Sequence, residues 1–475
     1  MSAFDPLEGD MLFYNLPFIV LFALVLPLSF ALRGKVRITM LLAASYIFYG
    51  WWDWRFLSLL MISTTVDYTV GVMMERTDEQ RRRKILLAVS VLANLGMLGF
   101  FKYFNFFTDT FVAAFSIPES QRFFVEVVLP PGISFYTFQT MSYTIDVYRR
   151  RVNAERSFLT FATFVSFFPQ LIAGPIERPG KLIPQLHREP RFQWANIYYG
   201  SRLFILGLFK KLVIADNLAK ISDAAFADPS GQTSVGLAIA AYCFAIQIYC
   251  DFSGYTDMAR GVAKMMGINL SLNFNLPYWS RTLNEFWRRW HMTLSYWLRD
   301  YVYIPLGGSR QGLWMHCRNL LITFALSGLW HGASWTFVLW GVLHGAYIIG
   351  ENLVGRLTRW RPPFAIQMFL TFHVVVALWI LFRAQSMAVA SAFYATFVSP
   401  SSWHWTSADQ SNALLLMIYA TPLILFQLWQ FRANSLAPDL RWNNRMVHGL
   451  AMGTSAFFAI ALGATGGGQF IYFQF

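Results

Sequence analysis

Two short stretches of this chain bring together residue types that could move a proton. They are Asn284-Glu285-Phe286-Trp287-Arg288-Arg289-Trp290-His291 and Leu326-Ser327-Gly328-Leu329-Trp330-His331-Gly332. Each sets an imidazole among tryptophans, arginines or small residues. Imidazole titrates near neutral pH, so it can act as a base or as a hydrogen-bond donor. In apolar surroundings an ionisable group is costly to keep and marks a site of use. Weighed alone, His291 is more often a satisfied structural residue than a catalyst. His331 is the sharper candidate, because the small residues around it allow close backbone approach between membrane helices. Ser327, one turn earlier, is better explained by such packing than as a nucleophile. A third histidine repeats the pattern in Gly341-Val342-Leu343-His344-Gly345. On one continuous helix His331 and His344 would differ by about 140° and lie about 20 Å apart. They can share a site only if the chain breaks between them, which Gly332 and Ser334 permit.

The elements that must hold these residues are membrane helices. Of 475 residues 56% are hydrophobic and only 13% charged, against about a quarter charged in an average soluble domain. Apolar runs recur at 12–32, 38–52, 56–74, 85–101, 158–176, 197–214, 236–252, 320–330, 335–349, 364–382, 413–429 and 447–464. Crossing a bilayer takes about 20 residues, so several runs are too short to cross unaided. The expectation is an all-α, polytopic membrane protein of ten to twelve helices, some re-entrant, forming a single domain over 1–475. Between Tyr278 and Leu306, Phe286, Trp290, Leu294, Trp297 and Tyr301 recur at helical intervals. That spacing predicts one amphipathic helix at or below the interface, with His291 between its two faces and Glu285 in reach of Arg281, Arg288 or Arg289.

Orientation follows from basic residues in short loops. Arg33, Lys35 and Arg37 follow the first run, and Arg76, Arg81, Arg82, Arg83 and Lys84 follow the third, whereas the loop between offers only Arg55. The amino terminus is therefore expected outside. Met1–Asp10 is acidic and lacks a basic n-region, so the first run reads as a retained helix, and Met11 is the more natural membrane start. The net charge of +13 is accounted for by this topology and by anionic lipid headgroups. No nucleic-acid module accompanies it. Cys243, Cys250 and Cys317 have neither metal-like spacing nor a disulfide framework, so no metal is expected. Gly307-Gly308-Ser309-Arg310 reads as a turn after a helix and not as a phosphate loop. Gly466-Gly467-Gly468 reads as a breaker before the aromatic tail.

Five motifs, read together, resemble the membrane-bound O-acyltransferase family. They are Asp251-Phe252-Ser253-Gly254-Tyr255-Thr256-Asp257-Met258-Ala259, Asn273-Phe274-Asn275-Leu276-Pro277-Tyr278, Phe286-Trp287-Arg288-Arg289-Trp290-His291, Tyr303-Ile304-Pro305-Leu306-Gly307-Gly308 and Leu329-Trp330-His331-Gly332. Phe168-Pro169-Gln170-Leu171-Ile172-Ala173-Gly174-Pro175-Ile176 is similar to the bacterial branch that acetylates exported polysaccharides such as alginate. The resemblance implies a ring of transmembrane and re-entrant helices around a thinned centre, with a cytoplasmic funnel. It places His331 at the catalytic position and His291 at the second conserved polar position. His344 matches no catalytic position and is assigned to packing or hydrogen bonding. Asp251 and Asp257 are carried over only as structural or tunnel-lining groups.

Acyl transfer from a thioester to a hydroxyl needs a base for the hydroxyl and a donor for the carbonyl oxygen. His331 suits the first role, and His291 or a neighbouring arginine the second. The resemblance further implies acetyl-CoA as a donor substrate from the cytoplasm, with no permanently bound cofactor and no assigned donor-binding residues. It implies the bacterial cytoplasmic (inner) membrane and an exported acetyltransferase or relay protein as partner. An external polysaccharide is the eventual acceptor. A D-alanyl or lipid acyltransferase of the same family would keep both histidines and change the donor or acceptor. A transporter would explain only the helices and buried charges, and no inverted repeat speaks for one.

Overall fold

In hydrocarbon every backbone N–H and C=O must be satisfied internally, which an apolar segment achieves as a helix. The computed structural model describes residues 11–118, 125, 127–358 and 362–435, with single positions 453, 454, 457, 463 and 470 beyond them. Every regular element among the described residues is helical. Six helical segments are long and apolar enough to cross a membrane: Gly34–Glu75, Gln80–Ala114, Ser234–Met265, Trp335–Leu357, Phe364–Arg383 and Ser407–Ala433. Large apolar side chains such as Ile62, Leu92 and Leu425 stand exposed on such helices, as a lipid-facing surface requires. Met1–Asp10 and most of the 447–464 run and the aromatic tail lie outside the described residues. The chain divides into two compact units, Met1–Phe204 with Thr256–Ser271, and Ile205–Tyr255 with Leu272–Phe475.

In the first unit, helices Leu57–Glu75, Gln80–Leu98 and Ile133–Tyr148 close on a buried polar seam. Ser90 donates to the Asp67 carboxylate at 2.5 Å, Asn94 donates to it at 2.8 Å, and Ser63 and Thr140 donate to the Asn94 amide oxygen at 2.8 and 3.2 Å. A carboxyl group with this many donors is tolerated where a bare one would be costly.

One end of this unit is a continuous basic layer. Arg37 donates to the Leu186 and Arg188 carbonyls, His187 meets Glu155 at 2.7 Å, Glu75 accepts from the Ala154 N–H, and Arg83 donates to the Val147 and Tyr148 carbonyls. The two arginine-rich loops therefore lie at the same end. The Arg55 turn is a full helix away, since Gly34–Asp53 has 20 residues and rises about 30 Å.

The 158–176 run is not a continuous span. It forms the helix Phe158–Ser166 and then a buried irregular strap. Freed backbone groups there find side chains: Gln139 and Gln170 donate to the Phe164 carbonyl at 2.7 and 3.0 Å, and Ser45 accepts from the Phe168 N–H at 3.1 Å. Irregular chain survives at such depth only where it is enclosed in protein.

In the second unit, residues 234–255 of the helix Ser234–Met265, with Leu313–His331, Trp335–Leu357 and Phe364–Arg383, supply the long walls. The expected amphipathic helix over 278–306 is corrected by the structure. It is a 3-10 turn Pro277–Trp279, helix Leu283–Arg289, helix Met292–Leu298 and a π-turn Arg299–Tyr303. Gly307 and Gly308, with φ of 109° and 59°, make the turn that ends it, as glycine after a helix suggested.

Candidate active site

His331 is positioned by a helix hairpin. Leu313–His331 ends at Gly332, whose extended backbone breaks the chain, and Ser334 restarts it by accepting the Thr336 N–H at 3.3 Å. The hairpin closes tightly at Gly328 and Gly341. A methyl group on Gly328 would overlap the Phe337 carbonyl, and one on Gly341 the Phe324 carbonyl. These are backbone atoms that cannot rotate aside, so glycine is required for the close approach. The break also settles the relation of His331 to His344. Trp340 lies between them, its ring 5.2 Å from His331 and 4.7 Å from His344.

His291 sits at an elbow between two short helices. Its backbone is left-handed, φ 41° and ψ 54°, a region where histidine is tolerated better than bulky or branched residues. The residues around the elbow are tied to the Asn273–Asn275 segment. Asn275 N–H donates to the Arg289 carbonyl and Met292 N–H to the Asn273 carbonyl, both at 2.9 Å. The Asn273 side-chain oxygen accepts from the Thr293 N–H at 3.2 Å and hydroxyl at 2.8 Å. Periodicity alone cannot reveal this elbow, because the apolar spacing continues through it.

The two imidazoles meet with ring centroids 6.4 Å apart, both buried. Phe252 lies edge-on to His291 at 4.7 Å. Trp330 and Phe382 approach His331 at 5.0 and 5.2 Å. A neutral imidazole at His291 can donate one hydrogen bond and accept another. The arginines beside it divide. Arg289 pairs with Glu285 at 2.7 Å, whereas Arg288 lines a cavity.

That cavity, about 520 Å³, runs beside Leu313–His331 from His316 to Ser327. Eleven residues of helix span about 16 Å. Arg288, Arg299 and His316 give it basic groups, Phe324 and Leu320 an apolar wall, and Trp287 part of its lining. A second, more polar cavity of about 380 Å³ shares Arg288 and Asn284 and adds Arg281, Thr282, Glu285 and Gln367. Ser327, read from sequence as packing only, thus also borders the cavity.

Asp251 does not face this site as a lone acid. Lys211 holds it at 2.6 Å and Asp216 at 2.8 Å, all three side chains buried. Asp257 pairs with Arg260 at 3.4 Å. The sequence reading passed over Lys210, Lys211 and Asp216. The signal was present: lysines inside an apolar run, with acids in another, imply a buried pair.

Residues 133–394 match the model of MBOAT, the membrane-bound O-acyltransferase family. The chain is 36% identical to a protein named probable alginate O-acetylase AlgI in Pseudomonas putida, over 98% of this chain and 100% of the relative. It is 39% identical to the probable alginate O-acetylase AlgI of Azotobacter vinelandii, over 92% of this chain and 89% of the relative. A peptidoglycan O-acetyltransferase of Helicobacter pylori is 36% identical, over 74% and 71%.

Proposed function

Because the chain belongs to the membrane-bound O-acyltransferase family and is a multi-pass membrane O-acetyltransferase, we propose that it moves acetyl groups from cytosolic acetyl-CoA toward an exported polysaccharide. The observation that carries this reading is the buried pair of His291 and His331, 6.4 Å apart, near the end of the cavity that follows the His331 helix. An intramembrane pair of this kind is a site of use by default.

On this reading a thioester donor extends along the cavity, its anionic end toward Arg288, Arg299 and His316. His331 takes the proton from the acceptor hydroxyl as the oxygen attacks the thioester carbonyl carbon. The carbon–sulfur bond breaks, and the proton passes to the leaving sulfur to give the free thiol. Neutral His291 orients the carbonyl group and donates toward the oxygen on which charge develops. Arg288 is the better placed of the two neighbouring arginines to assist, since Arg289 is held by Glu285.

The chain lies in the inner membrane with its amino terminus outside, supported by the basic layer that joins both arginine-rich loops at one end of the first unit. On this reading the cavity beside the His331 helix is the funnel that admits the donor. The relatives named for alginate and peptidoglycan differ in polymer, so the acceptor here is assigned only as an external polysaccharide. No extended hydrophilic stretch of the sequence is available to grip such a polymer. The acetyl group is therefore handed to an exported acetyltransferase or relay partner.

Purified protein in lipid nanodiscs should cleave acetyl-CoA in a His331-dependent way and acetylate free polysaccharide poorly until the exported partner is added. Efficient acetylation of polymer with every partner absent would defeat the relay. Transfer of D-alanine in place of acetyl would defeat the donor assignment.

A further inference from the structure

His344 takes no part in the chemistry above, yet it is fully buried and holds a residue of the donor cavity. The Trp287 indole N–H donates to the His344 Nδ1 at 3.2 Å. Indole is a donor only, so His344 must present a bare Nδ1 and carry its proton on Nε2. Trp287 lines the cavity, and its ring lies 5.6 Å from Trp340 and 5.4 Å from Phe324. Trp340 in turn touches His331 at 5.2 Å. From the cavity toward His331, the rings therefore run Trp287, then Trp340, then the imidazole. On the helix side, Ser327 is the last lining residue, one turn short of His331.

We propose that Trp287 sets the upper size of the acyl group that can be presented to His331, and that His344 is a positioning residue that holds Trp287 at that setting. This rests on the reading of the cavity as the path of an acyl thioester. On this reading the acyl group is seated where Trp287 and Ser327 line the cavity. Each added methylene must press against an indole that two rings and one hydrogen bond hold in place. Well-packed aromatic surfaces yield little when extra methylenes are forced against them. Longer acyl groups are rejected for lack of room and not for lack of affinity.

The test is the ratio of kcat/KM for acetyl-CoA to that for butyryl-CoA, measured by thiol release from the purified full chain, with propionyl-CoA and hexanoyl-CoA bracketing the series. Steps of one methylene discriminate by about 10–200-fold in shaped pockets, so wild type should favour acetyl over butyryl by about 100-fold or more. Trp287→Ala should lower that ratio at least tenfold by raising butyryl turnover. Trp287→Phe, which keeps a ring and drops the N–H, should move it less, as should His344→Ala. His344→Gln, whose amide oxygen can accept the indole N–H, should return it toward wild type. A merely structural role would depress all donors together and leave the ratio where it was. An unchanged ratio in Trp287→Phe and His344→Ala, or a wild type that uses butyryl-CoA as well as acetyl-CoA, would overturn the inference. A wild type that cleaves none of the acyl-CoA series would overturn the donor reading and this inference with it.

Discussion

Replacing Gly328 by alanine adds one carbon and two hydrogens, yet it should cost the protein most of its turnover. The new methyl would overlap the Phe337 carbonyl and stand 3.4 Å from the Gly341 Cα. Because the obstacle is backbone, the hairpin must open, and restoring ordinary contact requires a separation of roughly 1 Å. A displacement of that size at a reacting group costs about 10²-fold in rate, while overpacking costs about 1–3 kcal/mol of stability. His331 ends the helix that must move, three residues from the contact. Gly328→Ala and Gly341→Ala should therefore each lower kcat by about 10- to 100-fold with protein abundance only modestly reduced. The double variant should cost less than the product of the two, since one opening relieves both overlaps. Gly350→Ala, on the helix of Gly341 but with open space around its Cα, is the control and should be neutral. The assay is acetyl-CoA cleavage normalised to monodisperse protein. Turnover within twofold of wild type in both Gly328→Ala and Gly341→Ala would refute the claim that this hairpin places His331.

Lys211→Met strands the Asp251 and Asp216 carboxyls in the protein interior, and breaking such a buried pair costs about 3–5 kcal/mol; membrane abundance and detergent melting temperature should fall sharply, with part of the loss recovered by adding Asp251→Asn. No loss would mean the charges are solvated. For topology, a cysteine at Thr77, in the basic layer, should resist impermeant reagents added to sealed cells. Labelling there would invert the assignment.

How much of this was legible in the sequence depends on which physical signal each feature leaves. The all-helical membrane architecture is written in apolar runs whose backbone has one economical solution. His331 and the close glycines around it are legible because small residues four apart signal helix contact. Gly341 as the partner of Gly328 is not, since nothing in a period of 3.6 says where a hairpin turns. The elbow at His291 was missed for a related reason. Phe286, Trp290 and Leu294 keep helical spacing across it, and the hydrogen bonds that make it come from Asn273 and Asn275, residues distant in periodicity and polar enough to pass for loop. His344 reads from the sequence as a packing or hydrogen-bonding residue, but its acceptor role toward Trp287 exists only once the chain folds back at Gly332. The Lys211 ion cluster was hidden in a different way. Lys211 and Asp216 are near in sequence but Asp251 lies on another helix, and only the cost of leaving each alone connects them.

The central claim is that His331 is the base of an intramembrane acetyl transfer. Full-length His331→Ala, inserted at normal levels and matched to wild type for melting temperature, should be measured for acetyl-CoA cleavage and, in cells with the exported partner present, for acetyl content of the external polymer. The account predicts loss of both to background, with His291→Ala leaving a reduced but measurable residue and His344→Ala far milder on acetyl. Wild-type acetylation by the His331→Ala protein would contradict it outright.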